Sequence, residues 1–205
     1  MRLGLFGGAF DPVHNGHLFV AEAVRTRESL DRAIFLPMRA AHHREAPCAS
    51  VEDRASMLRL AIAANPAFML DLTDAENGAS GYTADLLPRL RSKYPGDELY
   101  FIAGSDSLVR GGWRRFDEIL EMLNGFFAVP RDSYGRADVD AALRGLAPKL
   151  RQKVRFVDLP LTTESATTVR ERLDAGESVR YLVPEPVWRY MIEHKLYQPS
   201  RVAPT

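Results

Sequence analysis

Several features that mark particular classes of protein are scarce in this sequence. It has one cysteine, Cys48, which excludes an internal disulfide and is typical of a protein from the reducing cytoplasm. Its 27 basic and 27 acidic residues give no net charge, so binding to nucleic acid or a membrane surface through overall charge is not expected. No apolar run is long enough to span a bilayer, and no signal peptide is visible. We therefore expect a cytoplasmic protein without a nucleic-acid or membrane partner.

The length and composition of the chain suit one globular domain. The 205 residues are 46% hydrophobic and 26% charged, which is enough apolar material for a sizeable core. We predict a single domain over residues 1–205, with a core at about 1–160 and a small C-terminal helical part at about 161–198. The composition leaves the oligomeric state open, with a homo-oligomer as one alternative.

Strand and helix patterns alternate along the chain. Short apolar runs predict strands at 3–6, 32–37, 68–72, 98–104, 125–130 and 154–159. Helical patterns occur at 18–25, 82–93, 117–123, 138–146, 165–173 and 184–197, with a kink or restart expected at Pro88. A further helix is predicted to begin after the candidate N-cap Ser50 and to stop near Asn65 and Pro66. Long crossovers between strands imply parallel pairing. The fold class is therefore α/β: a doubly wound, Rossmann-like parallel sheet with helices on both faces. In such a sheet the first and fourth strands flank the ligand crevice.

The turn between the first strand and the first helix carries the strongest chemical signal. Residues 7–17 read Gly-Gly-Ala-Phe-Asp-Pro-Val-His-Asn-Gly-His. Gly7 and Gly8 allow the backbone to come close to a ligand, because they carry no side chain. A helix that begins between His14 and His17 would present free N–H groups and both imidazoles to an anion. A histidine can donate a hydrogen bond and, when protonated, offset negative charge, so this turn predicts a nucleotide-phosphate site.

The two histidines also have simpler explanations. They could be surface or capping residues without a ligand. They could also belong to a metal pair, but a zinc site needs further ligands. The candidates are His42, His43 and Cys48, and these lack a recognisable zinc spacing.

A second informative stretch lies near the C-terminus, at residues 163–173. Ser165 or Thr167 can cap a helix whose first turns hold Arg170. Hydroxyl groups, free N–H groups and a guanidinium together suit a phosphate. The alternative is an ordinary helix cap with a surface arginine.

These motifs resemble the signatures of the nucleotidyltransferase superfamily. The core His-x-Gly-His is matched by residues 14–17, and residues 165–170 resemble the second signature, with Glu164 where an apolar residue is usual. The longer pattern over residues 7–17 resembles the nicotinate mononucleotide adenylyltransferases. The resemblance implies adenylyl transfer from ATP to nicotinate mononucleotide, with release of pyrophosphate, in NAD biosynthesis. It also implies Mg²⁺ as cofactor, held mainly by phosphates rather than by protein ligands.

The resemblance also assigns roles to residues of this chain. The catalytic residues would be His14, His17 and Arg170. The ATP-binding residues would be Gly7, Gly8, Phe10, His14, Gly16, His17, Gly104, Asp106, Ser165, Thr167 and Arg170. The residues that bind the mononucleotide would be His43, Arg44, Tyr82, Thr83, Asp106 and Trp113. Trp113 would stack on the pyridine ring, although a core or lid position also explains it.

Related activities remain as alternatives. The acceptor could be nicotinamide mononucleotide or phosphopantetheine. A non-catalytic nucleotide sensor is a further alternative, and such a protein should keep the glycines but lose His14, His17 or Arg170. All three are present, which favours an enzyme.

Overall fold

The computed structural model describes residues 1–39, 46–76, 78–162 and 164–198. Within them one parallel sheet has the strand order β3-β2-β1-β4-β5-β6. The strands are β1 (Arg2–Gly8), β2 (Arg32–Pro37), β3 (Phe68–Leu70), β4 (Glu98–Gly104), β5 (Gly125–Val129) and β6 (Val154–Phe156). The helices are α1 (Asn15–Arg27), α2 (Val51–Ile62), α3 (Thr83–Lys93), α4 (Ser105–Val109), α5 (Phe116–Met122), α6 (Arg136–Ala142), α7 (Pro148–Arg151), α8 (Ala166–Asp174) and α9 (Glu185–Glu193). No described helix is long and apolar enough to cross a membrane.

The strand order confirms the predicted doubly wound sheet. β1 pairs in parallel with β2 on one side and with β4 on the other. The chain therefore reverses its winding direction between β1 and β4. The carboxyl ends of these two strands open a crevice outside the sheet, where ligands bind in folds of this kind.

Successive strand residues alternate between two apolar layers. Phe6 and Ile102 face the layer that packs under α1, α2, α8 and α9. Leu5 and Phe101 face the opposite layer, under α3, α5 and α6. This alternation follows from the two-residue period of a strand, and burial on both faces explains why the strands read as continuous apolar runs.

Some predicted element boundaries are wrong. β3 ends at Leu70 rather than at residue 72, because the Asp71 carboxylate turns back to accept hydrogen bonds from the amide and hydroxyl of Thr73. β6 ends at Phe156 rather than at residue 159. α6 spans Arg136–Ala142 rather than 138–146, because the Asp138 carboxylate accepts from the Gly135 amide and starts the helix earlier.

Two short helices and one long helix also differ from the predictions. α4 and α7, of five and four residues, were not predicted, since so few residues carry no periodicity. α3 runs through Pro88 without the expected restart. The predicted helix over 184–197 is α9, which ends at Glu193.

Candidate active site

The histidine motif is set by the way β1 turns into α1. Phe10 has a positive φ of 49° and its buried ring packs against Phe6 and Phe35. His14 is the N-cap of α1 in an extended conformation, and its carbonyl accepts from the His17 amide at 3.0 Å. The helix therefore begins between the two histidines, as predicted. Its first amide, that of Asn15, donates to the carbonyl of Leu182 at 2.9 Å.

The two imidazole rings lie against each other, with centroids 3.6 Å apart and planes at 31°. The His14 amide donates to His17 Nδ1 at 3.2 Å, so a neutral His17 carries its proton on Nε2. His14 is buried, and neither of its ring nitrogens has a hydrogen-bond partner in the described part of the chain. Buried polar atoms without partners are rare in proteins, so the His14 ring is suited to a bound ligand.

Both histidines are neutral at pH 7. Burial, together with a smaller contribution from the charge of Arg131, lowers the pKa of His14 to about 3. Burial also lowers the pKa of His17 well below its ordinary value, with contributions from His14 and Arg131. The imidazoles can therefore donate hydrogen bonds to an anion but bring no positive charge, which must come from arginines and helix ends.

The second predicted signature lies beside the first. Arg170 donates through Nη1 to the carbonyl oxygen of Asp11 at 2.7 Å, and its Nη2 reaches Thr167 Oγ1 at 3.4 Å. Ser165 is the N-cap of α8, and its hydroxyl accepts from the Thr168 amide at 3.0 Å. The structure thus brings Ser165, Thr167 and Arg170 to the histidine turn. Asp11 and Arg170 are in contact although they lie 159 residues apart in the sequence.

Asp11 is the centre of this arrangement, although the sequence motifs assigned it no role. Its buried carboxylate accepts from the amides of Cys48 and Ala49, at 2.7 and 3.0 Å. It also accepts from the hydroxyl of Tyr197 at 2.7 Å. Burial and this bond raise the pKa of Tyr197. Asp11 therefore joins the histidine turn, the segment before α2, and the C-terminal part of the described chain.

Arg54 was also missed, because in sequence it is one more charged residue of a helix. It is 1% exposed and donates to the carbonyls of Ala9 and Met38, at 2.6 and 2.8 Å. It also reaches the carbonyls of Arg39 and Ala49. Arg54 thus holds both ends of residues 39–49 against the histidine turn.

Predicted residues within that segment cannot all be placed. His43 and Arg44, assigned to the mononucleotide, lie outside the described residues, as does His42. Cys48 is described and is exposed, with a free thiol.

The end of β4 forms the opposite wall of the crevice. Gly104 is the N-cap of α4, whose first turn contains the buried Asp106. A Cβ at Gly104 would clash with Asp106 Oδ1 and lie 3.1 Å from the Cβ and Cδ of Arg131. A Cβ at Gly16 would lie 3.1 Å from His14 Nδ1. These two glycines therefore allow the close approach of side chains that belong to the protein itself.

The glycines at the end of β1 are also closely packed. A Cβ at Gly7 would lie 3.1 Å from the ring of Phe101, and one at Gly8 would lie 3.1 Å from the ring of Phe10. Contact of Gly7, Gly8 and Phe10 with ATP remains a prediction, and for the buried Phe10 it would involve the backbone.

The predicted pyridine-binding residues form a separate group. Trp113 packs edge-on against Phe101 and Phe126, with centroids 5.5 and 5.3 Å away. Its face borders a cavity of about 210 Å³ that Gly111 and Gly112 also line. Next to Trp113, the guanidinium of Arg114 lies 4.6 Å from the ring centre of Tyr82.

An ion pair holds the two loops of this group together. Arg115 pairs with Asp85, in the first turn of the helix that begins at Thr83. The loop with Tyr82 and the loop with Trp113 are therefore joined by two contacts, the ring contact of Arg114 and this ion pair.

The described residues contain no group of three or more histidine, cysteine or acidic side chains able to hold a metal ion. His14 and His17 stack ring on ring rather than converging on a common point. Their environment suits phosphate oxygens better than zinc.

Comparison with known proteins identifies the family. The cytidylyltransferase-like family model matches residues 5–172. A protein of Oceanobacillus iheyensis, described as a probable nicotinate-nucleotide adenylyltransferase, is 39% identical over 197 residues, which cover 96% of each chain. The chain belongs to the nicotinate-nucleotide adenylyltransferase family. A second member, from Symbiobacterium thermophilum and described in the same words, is 38% identical over 96% of this chain and 95% of its own.

Solved structures of the adenylyltransferases have the same fold. Plasmodium falciparum nicotinic acid mononucleotide adenylyltransferase complexed with NaAD matches with a TM-score of 0.74 at 17% identity, covering 96% of this chain and 97% of its own. The same enzyme complexed with APC matches with a TM-score of 0.72. The adenylyltransferase fold of this chain is therefore shared by proteins of low sequence identity.

Proposed function

We propose that this chain transfers the adenylyl group of ATP to nicotinate mononucleotide, giving nicotinate adenine dinucleotide and pyrophosphate in NAD biosynthesis. The observation that carries the proposal is the pair of neutral histidines at the start of α1. The ring nitrogens of His14 have no partner among the described residues, and Arg170 is bonded to the same turn. Membership of the nicotinate-nucleotide adenylyltransferase family names the acceptor.

In the reaction an oxygen of the mononucleotide phosphate attacks the α-phosphorus of ATP. A new bond forms between this oxygen and the α-phosphorus. The bond between the α-phosphorus and the oxygen that bridges it to the β-phosphorus breaks, and pyrophosphate leaves. The attacking phosphate is already largely ionised at pH 7, since its second pKa is near ~6, so no general base is needed. The protein must align two anions and stabilise the charge that develops between them.

His14 and His17 donate hydrogen bonds to phosphate oxygens at this centre. His17 Nε2 is the donor, because its Nδ1 accepts the His14 amide. The positive end of the α1 dipole adds positive potential. Gly16 allows the backbone to lie close to the ring of His14. The neutral imidazoles thus supply hydrogen bonds to the reacting phosphate, while the positive charge comes from neighbouring arginines and helix ends.

The leaving group is held on the other side of the turn. Arg170, Ser165 and Thr167 bind the β- and γ-phosphates, with Arg170 as the cation. Mg²⁺ bound to ATP would be held mainly by phosphate oxygens and water, and would supply further positive charge to the triphosphate. Gly104 and Asp106 line the ATP ribose at the end of β4.

The pyridine ring of the mononucleotide binds beside Tyr82 and Trp113. Tyr82 and Thr83 line this pocket and Trp113 stacks on the ring, supported by its edge-on contacts with Phe101 and Phe126. His43 and Arg44 stay predictions for the same pocket. The single cysteine is typical of a reducing compartment, and the cytoplasm is our proposal for where the enzyme works.

The test is release of pyrophosphate from MgATP by the purified protein. Nicotinate mononucleotide, nicotinamide mononucleotide and phosphopantetheine are supplied in parallel. We expect rapid release with the first, and a loss of about two orders of magnitude in kcat for His17→Ala. Release with another acceptor alone would contradict the pyridine pocket, and ATP binding without release for any acceptor would indicate a nucleotide sensor.

A further inference from the structure

Arg131 occupies a fixed position at the mouth of the crevice, two residues beyond β5. Its amide donates to the hydroxyl of the fully buried Ser105 at 3.0 Å. The same hydroxyl donates to the carbonyl of Tyr134 at 2.8 Å. Ser105 follows directly on β4, so the backbone of Arg131 is tied to the end of the strand that forms one wall of the crevice.

The side chain of Arg131 leaves this anchor along Gly104. A Cβ at Gly104 would lie 3.1 Å from both the Cβ and the Cδ of Arg131, so the aliphatic stem lies close over the glycine. The residue as a whole is exposed, and its guanidinium forms no hydrogen bond or ion pair with the described residues. Its neighbour Arg110, in contrast, pairs with Asp132 at 2.6 Å.

The charge of Arg131 reaches both histidines of the motif. It contributes to the lowering of the pKa of His14 and of His17, so the guanidinium is near enough to act on both rings. Its backbone follows β5, whose last residue pairs with Gly104 at the carboxyl end of β4. The two histidines are neutral, and Arg170 already donates to the Asp11 carbonyl. A site that aligns two phosphate anions needs a further cation, and Arg131 is a cation with its donors available.

We propose that Arg131 binds the triphosphate of ATP, and the pyrophosphate that leaves, as a second cation opposite Arg170. A guanidinium presents paired donors that match two phosphate oxygens. The packing of the stem on Gly104 reduces the side-chain entropy lost on binding. The inference rests on the proposed function for the identity of the ligand, while the cation and its anchor are features of the chain itself.

The first experiment measures binding of inorganic tripolyphosphate to the whole protein by calorimetry. Arg131→Met keeps an unbranched apolar stem over Gly104 and removes the donors. Because hydrogen bonds to charged groups contribute about 1.5–3 kcal/mol, we expect binding roughly tenfold to a hundredfold weaker. Arg131→Lys should retain part of the affinity. Arg144→Met, which removes an exposed arginine just beyond α6, should bind as the wild type does.

The second experiment separates the substrates kinetically. We expect Arg131→Met to raise the KM for ATP and weaken product inhibition by pyrophosphate, and to leave the KM for nicotinate mononucleotide unchanged. Unchanged tripolyphosphate binding, or a rise confined to the KM of the mononucleotide, would overturn the proposal. If Arg131→Met does not fold, Arg131→Gln replaces it in both measurements. If the wild type transfers adenylyl groups to no acceptor, the proposed function fails, but the tripolyphosphate comparison still decides the role of Arg131.

Discussion

His14 is buried although neither of its ring nitrogens has a hydrogen-bond partner among the residues that the structure describes. Leaving a buried polar atom unpaired costs roughly 1–3 kcal/mol. Charging the ring there would cost more, which is why the pKa of His14 falls to about 3. A phosphate oxygen that accepts from the ring would remove part of this penalty. The same side chain therefore limits stability in the empty protein and favours binding of an anion.

The lowered pKa of His14 predicts a pH dependence of stability. In the unfolded chain the ring takes up a proton near pH 6.5, whereas the folded protein excludes it down to about pH 3. The unfolded state therefore binds more protons between these values, and stability falls as the pH falls through this window. We expect His14→Gln to reduce the slope of the unfolding free energy between pH 6 and 4 by up to ~1.4 kcal/mol per pH unit.

The measurement is urea unfolding at several pH values between 7 and 4. His194→Gln is the matched control, because it makes the same substitution at an exposed histidine at the end of α9, outside the histidine turn. Equal slopes for wild type and His14→Gln would show that the His14 ring accepts a proton in the folded protein.

The sequence predicts where the histidines lie but not that they are neutral. Glycines, a turn and a helix start within eleven residues place His14 and His17 beside a helix N-terminus. Their protonation depends on burial against Phe10 and on the charge of Arg131, which lies more than 110 residues away in sequence. Nothing local to Arg131 distinguishes it from the other arginines, so it could not be predicted as part of the site.

At the scale of elements, the bounds of α2 can be predicted from residues close in sequence, but the contacts of its buried arginine cannot. Its start was predicted from Ser50, whose hydroxyl accepts from the Asp53 amide at 3.0 Å, and its end was predicted near the Pro66 break. These signals lie within a few residues of each other. The role of Arg54 depends on three other segments that meet the helix only after folding, and no periodicity indicates it.

Arg54 predicts a strong effect on stability from one side chain of α2. Arg54→Met keeps a long apolar stem but leaves the carbonyls of Ala9 and Met38 without their donor. Because each is a bond from a charged donor, we expect the free energy of unfolding to fall by about 3 kcal/mol or more. The histidine turn loses its link to residues 39–49, so kcat should fall as well.

Thermal and urea unfolding of Arg54→Met measure the effect. Arg59→Met removes an exposed arginine of the same helix and should change the unfolding free energy by less than about 0.5 kcal/mol. Similar losses in both variants would mean that helix propensity, rather than the buried contacts of Arg54, determines the result.

At the scale of the whole molecule, a residue close to the C-terminal end of the described chain, Tyr197, contacts Asp11 in the histidine turn. The doubly wound order could be predicted, because alternating strands and helices permit few topologies. The contact between Tyr197 and Asp11 could not, since it joins residues 186 apart and follows the end of α9. Arg170 donates to the backbone carbonyl of Asp11, so the C-terminal segment and Arg170 are linked through the same residue, one by its carboxylate and the other by its carbonyl.

Tyr197→Phe tests the contact between the C-terminal segment and Asp11, because it removes only the hydroxyl oxygen of Tyr197. The buried Asp11 carboxylate would lose its hydroxyl donor while it keeps the amides of Cys48 and Ala49, so we expect a loss of about 1–2 kcal/mol in unfolding free energy. The pKa of Tyr197 is raised, so its contribution is complete below about pH 10 and is lost as the pH rises further. The variant should therefore lose less stability than the wild type at alkaline pH.

Tyr181→Phe is the control, because Tyr181 is 88% exposed. Its unfolding free energy at neutral pH should match that of the wild type. If Tyr197→Phe also matches the wild type at neutral pH, the C-terminal segment does not stabilise the histidine turn. If it loses stability and its KM for ATP rises, then Asp11 transmits the position of the C-terminal segment to Arg170. The chain would in that case complete its phosphate site only when its last described residues have docked on its first turn.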